Sequence, residues 1–443
     1  MRRFVLTGVM IWTFGLLLCG IATPALAASS LGNAPASIAS ITTSPSDILP
    51  TDGTLQGDLT QNNGQTDTPS QTSGLPSVTS LASTLTEDQL KMTDTSSLDK
   101  FWNHVQSEYG QYIPNTGPSL AQALLPGAKH LSVTEMLRGL LKFFFQELWQ
   151  NSRLMGTIIL LSVFAAVLEA MQSAFEKSTV SKVSFAVVYL VLIVIAIGSF
   201  KGAMGYAKGA ISDMTDFMTA MVPLVLSLLA ATGNVTSVAM IHPIVVAVVN
   251  IVGTLIYDVV FPLIFFSAIL HIVSTISDRY QLTQLGNLLR TASILCLGTF
   301  LSVFLGVISV QSVAGAVVDG VTLRAAKFVS SNFVPVVGKM FSDAADTVIG
   351  ASLLVKNSIG LAGVIILLII CAFPALKIVS LAVIYNATAA LMQPLGDSPI
   401  IGCLNTIAKS LVLVFAAMAT VGMMFFLAVT IMIAAGNITA MVR

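Results

Sequence analysis

The chain has 443 residues, 55% of them apolar and only 9% charged, and its 21 basic residues balance 21 acidic ones. Zero net charge excludes a general attraction to nucleic acid, and so apolar a chain would aggregate as a soluble globule. What remains is a membrane protein.

The N-terminus has the layout of an export signal. Arg2 and Arg3 form a positive start, residues 4–21 an apolar core, and Ala25-Leu26-Ala27 a small-x-small cleavage pattern. Cleavage is expected between Ala27 and Ala28, which places the mature N-terminus outside the cytoplasm. Cys19 raises the alternative of a lipoprotein, but Leu18 is too bulky for that processing site. The stretch that follows, to residue 95, is rich in Ser, Thr, Gly, Pro, Asn and Gln and lacks Lys and Arg until Lys91. It cannot bury enough apolar surface to offset chain entropy, so residues 28–95 are expected to be a disordered extracytoplasmic linker.

Residues 96–150 are expected to form extracytoplasmic or interfacial amphipathic helices. Leu98, Phe101, Trp102, Val105 and Tyr109 follow helical spacing, with Gly110 and Pro114 as a stop. A second helix starts at Ser132 and Glu135, a possible capping box, and gathers Val133, Leu137, Leu140, Leu141, Phe144 and Leu148 on one face. Phe143 to Phe145 and Trp149 suit a headgroup boundary. This helix either lies on the outer leaflet or packs on the membrane bundle.

Residues 151–443 form the membrane domain, expected to be all-α and polytopic. Apolar runs recur at 154–174, 183–200, 238–257, 259–276, 292–318, 359–374 running on into 378–391, and 407–435, with a shorter one at 217–231. A crossing needs about 20 apolar residues, which gives about seven to nine transmembrane helices. Lys177, Lys182, Arg279 and Arg290 suit cytoplasmic loops, whereas Lys201, Lys208, Arg324, Lys327 and Lys339 do not, so the signal carries the orientation. Pro223, Pro262 and Pro374 sit inside apolar runs and predict broken helices. Gly198, Gly202, Gly205 and Gly209, three and four apart, permit close helix approach.

Ionisable groups inside a membrane are costly and point to function or to buried pairing. The candidates are Glu169, His242, His271 and Lys377, with Asp258 between two runs; Asp258 and Lys377 can also snorkel to the interface. Residues 319–357, with Asp319, Lys339, Asp346 and Lys356, are too polar for one simple crossing and too apolar for a loop. They suit an amphipathic or re-entrant segment lining a conduit. No His-Glu-x-x-His, Gly-x-Ser-x-Gly or phosphate-loop motif occurs, so no enzyme, cofactor or metal is expected. Cys296, Cys371 and Cys403 lack ligand spacing and read as buried hydrophobes.

Phe101-Trp102, residues 108–114, Leu168-Glu169, residues 172–176, Ala220 to Leu229, His242-Pro243 and Phe261-Pro262-Leu263 resemble the stage III sporulation protein AE family. Residues 306–311, Asp319-Gly320, residues 332–339, 354–360, Phe373 to Lys377 and 393–397 add to the likeness, which runs from about Leu98 to the end. The resemblance implies a multi-pass membrane subunit, made in the mother cell of an endospore-forming bacterium. Its partners would be the other membrane proteins of a channel joining mother cell and forespore. It assigns no residue a role and names no transported solute. A self-contained small-molecule or ion permease and a non-conducting membrane scaffold fit the composition equally well.

Overall fold

The computed structural model describes residues 96–113, 133–174, 179–231, 235–276, 282–333, 337–395 and 398–442. The expected signal segment, the cleavage point at Ala27 and Ala28, the linker and the Ser132 cap lie outside them. Every described element is helical: α1 (Ser96–Tyr109) with a 3-10 turn (Gly110–Tyr112), α2 (Val133–Gln150), α3 (Ser152–Ala174), α4 (Thr179–Ala231) and α5 (Val235–Leu255). A π turn (Ile256–Val260) leads into α6 (Phe261–Ile276), followed by α7 (Thr283–Phe333), α8 (Val337–Met392), a 3-10 turn (Gln393–Leu395) and α9 (Pro399–Val442).

Six described segments are long and apolar enough to cross a membrane: Ser152–Met171, Val183–Ala231, His242–Thr275, Thr283–Gln311, Gly350–Met392 and Pro399–Ala434. The all-helical membrane class is as expected; the expectation of helices broken at Pro223 and Pro374 is not met. Runs 183–200 and 217–231 belong to the single helix α4, and runs 359–374 and 378–391 to α8. Pro223 and Pro374 lie inside those helices without ending them. A proline removes one hydrogen bond, but ending a helix in apolar surroundings would strand several more backbone groups. Pro262 instead follows the π turn. Its ring would crowd the carbonyl of residue 258, four positions back, and the wider turn relieves that clash.

The core sits where α8 packs along α9 and α4, with α7 closing against α9, α6 and α5. Phe217, Phe304, Phe373, Tyr385 and Phe425 are fully buried there. Within the segment expected to be amphipathic or re-entrant, residues 319–333 form the end of α7 and residues 337–357 the start of α8.

Candidate functional site

The spacing that builds α1 also decides how it docks. Leu98, Trp102, Val105 and Tyr109 fall on one face and are all buried against α4 and α8. Phe101 adds an edge-on contact with Phe217 of α4, centroids 5.2 Å apart. Tyr109 stacks parallel on Phe373 of α8 at 4.0 Å, and Phe143 of α2 meets the rings of Tyr109, Tyr112 and Phe373 edge-on. Three segments distant in sequence are therefore joined by one aromatic cluster. Gly139 lets α2 come close enough: a Cβ there would collide with the carbonyl of Tyr112.

Lys377 lies one helical turn beyond Phe373. Its ammonium is 3.7 Å from Glu108 Oε1 and sits 5.6 Å from the Tyr109 ring centroid and 5.4 Å from that of Tyr206. The Tyr109 hydroxyl donates to Glu108 Oε1 at 2.6 Å. Burial, and then that hydrogen bond, push the Tyr109 phenol far above its usual range, so it remains a neutral donor. Lys377, Glu108 and Tyr109 line a cavity of about 180 Å³ together with Gln111, Gln146, Glu147 and Gln150. Apolar burial dominates the docking. Each fully buried large side chain contributes roughly 1.5–3 kcal/mol, whereas a half-exposed ion pair contributes about 1 kcal/mol at most.

The other candidate residues are scattered rather than gathered. Glu169 accepts a 2.7 Å hydrogen bond from Ser398, which precedes α9, so its carboxylate stands at a helix N-terminus where the backbone dipole favours it. His271 joins α6 to α7: Nδ1 is 2.7 Å from the Ser267 carbonyl and Nε2 3.2 Å from the Asn287 side chain. The carbonyl at Nδ1 calls for an Nδ1–H donor, and the atom facing Nε2 is Asn287 Oδ1. Ser267 donates to the Gly286 carbonyl at 2.8 Å, and Gly286 leaves room for the imidazole.

Lys356 is fully buried and donates to the Ile433 carbonyl at 2.9 Å, tying α8 to α9. His242 is exposed near the start of α5. Asp319, Lys339 and Asp346 lie on helical backbone, and their side chains are outside the described residues. Asp258 is exposed in the π turn. Sequence reasoning missed Tyr206, Gln146, Glu147 and Gln150. Gly139, a lone glycine in a strongly periodic helix, was the available signal of a close approach there. Among the described residues no group of three or more His, Cys, Asp and Glu side chains could hold a metal ion.

Long apolar helices joined by a few polar cross-links define a multi-pass helical membrane protein. Residues 117–436 match the family described as Stage III sporulation protein AE. The Stage III sporulation protein AE of Bacillus subtilis (strain 168) is 49% identical over 362 residues, covering 82% of this chain and 91% of that relative. The chain belongs to the Stage III sporulation protein AE family, and that membership implies a role in sporulation. No solved structure matches it.

Proposed function

We propose that this chain is a membrane subunit of a multiprotein channel that links mother cell and forespore and is required for forespore development after engulfment. The observation that carries the reading is the 49% identity over most of the chain to a stage III sporulation protein, in a molecule with six membrane-length apolar helices. The chain would reside in the mother-cell membrane around the forespore, with its mature N-terminus extracytoplasmic. Docking of α1 on α4 and α8 supports a role as an assembly platform, because it fixes a polar helix against the bundle where partner proteins could reach it. It performs no catalysis in this reading.

Two measurements test the proposal. Deleting the chain from spore-forming cells should arrest development after engulfment. The purified chain reconstituted alone in liposomes should move no small solute; robust flux from the chain alone would favour a self-contained permease.

A further inference from the structure

The outward side of α4 changes character along its length. Near its start the exposed positions are large aliphatics, Val183, Val187, Leu190, Val191 and Val194, as on a lipid-facing helix. From residue 198 to residue 227 the exposed positions are polar or small. Lys201, Ser212, Asp213, Asp216, Thr219 and Ser227 are exposed, with glycines and Pro223 between them and Tyr206 as the one large aromatic ring. They recur every three or four residues and so form one stripe. The opposite side of the same stretch, including Ala207, Met214, Phe217 and Val225, is buried in the bundle.

Length and surroundings sharpen the contrast. At 1.5 Å per residue the stripe is about 44 Å long, more than the ~30 Å of a hydrocarbon core. The space before it is open, since a Cβ at Gly198, Gly202, Gly205 or Gly209 would meet nothing within 4 Å. Those glycines therefore do not serve close packing within this chain, as their spacing had suggested. On α7 the large exposed residues, among them Leu285, Leu295, Val303, Val310 and Val321, are aliphatic. Asn287, Thr291, Thr299 and Ser302 are exposed between them, and no charged side chain is exposed among the described residues from Leu285 to Val321. One helix thus presents a face suited to lipid and another a face suited to water. Lipid tails cannot solvate Lys201, Asp213 and Asp216.

Neighbouring elements extend the polar surface. α1 borders this stretch: its Phe101 meets the buried Phe217 edge-on, and its His104 and Glu108 are within electrostatic reach of Asp213. From α4, Lys208 stands 3.9 Å over the ring of Tyr257 in the π turn, next to exposed Asp258.

We infer that the 198–227 face of α4 is one wall of a water-filled path through the membrane domain. Its mixed charge suits small hydrated solutes of either sign and sets no strong charge filter. The inference rests on the channel-subunit reading and deepens it by naming the wall.

The test uses the full-length chain, with its native cysteines replaced, in sporulating cells. Single cysteines are placed at Gly198, Gly205, Ser212, Thr219 and Ser227, with Leu295→Cys and Ala207→Cys as lipid-facing and buried controls. Only variants with normal abundance and spore yield are scored. A small membrane-impermeant thiol reagent should label all five stripe positions at least about tenfold faster than either control, because only water carries it there. A maleimide on a long polyethylene glycol should fail at the central positions. Protection of Ser212→Cys and Thr219→Cys from the small reagent would overturn the inference, showing lipid or a packed protein face there. Equal labelling of all five by the bulky reagent would also overturn it, placing the stripe on open surface. Isolation of the native complex from the same strains separates the two readings: an intact complex with a protected stripe removes only the wall.

Discussion

Substituting Tyr109 by Ala should release α1 from the bundle. Tyr109 is 6% exposed, lies parallel to Phe373 at 4.0 Å and meets Phe143 edge-on at 5.9 Å. Truncating a large buried aromatic costs about 3–5 kcal/mol, of which each ring pair supplies roughly 0.5–1.5 kcal/mol. The ion pair beside it is weaker: Lys377 and Glu108 are 3.7 Å apart and their side chains are 23% and 46% exposed. Such a pair is worth about 0.2–1 kcal/mol. Hydrogen exchange of the α1 amides in nanodiscs reads the opening equilibrium directly. With about 1.4 kcal/mol per tenfold, Tyr109→Ala should speed exchange by two decades or more and Glu108→Gln by no more than about fivefold. Tyr109→Phe, which keeps the ring and loses only the hydroxyl, should behave like Glu108→Gln. Equal release by Glu108→Gln and Tyr109→Ala would refute the argument that aromatic packing, and not charge, holds α1.

Three further outcomes follow from single contacts. Gly139→Ala, which in an exposed helix would gain about 1 kcal/mol, should instead lower thermal stability by roughly 1–3 kcal/mol, because the added methyl meets backbone at Tyr112. Lys356→Ala should destabilise the α8–α9 contact by about 2–5 kcal/mol in a melting assay, while Lys356→Met, which fills the same space without a charge, should stay within about 1 kcal/mol of the parent. Equal losses in both would mean that the ammonium itself is needed. Ser398→Ala should cost about 1 kcal/mol, and a double-mutant cycle with Glu169→Gln should show coupling of about 0.5 kcal/mol or more; additivity would dissolve the link.

The parts legible in the sequence were those set by local periodicity. The face of Leu98, Trp102, Val105 and Tyr109 is the face that docks, and the apolar runs all fall within long helices. The joining of 183–200 and 217–231 into one helix was not legible. Pro223 and Pro374 look like breaks in a string of letters, but an apolar environment enforces every hydrogen bond the proline leaves possible. Lys377 was picked out as an ionisable group, yet its partner Glu108 and its flanking rings of Tyr109 and Tyr206 come from elements remote in sequence. The glycines from Gly198 to Gly209 show the same limit: spacing tells which face they share, not what that face meets. Glu169 and His271 were picked out as intramembrane ionisable groups and Lys356 as part of a conduit-lining segment, and the observed contacts of all three are helix-to-helix ties.

The central claim is that the chain works as one subunit among several, and the size and composition of its native particle test that most directly. The tagged chain should be extracted with mild detergent from sporulating cells, sized, and its companions identified. The account predicts a particle far heavier than the 46.5 kDa chain, containing other membrane proteins in constant proportion. A particle containing this chain alone, at any copy number, would contradict it.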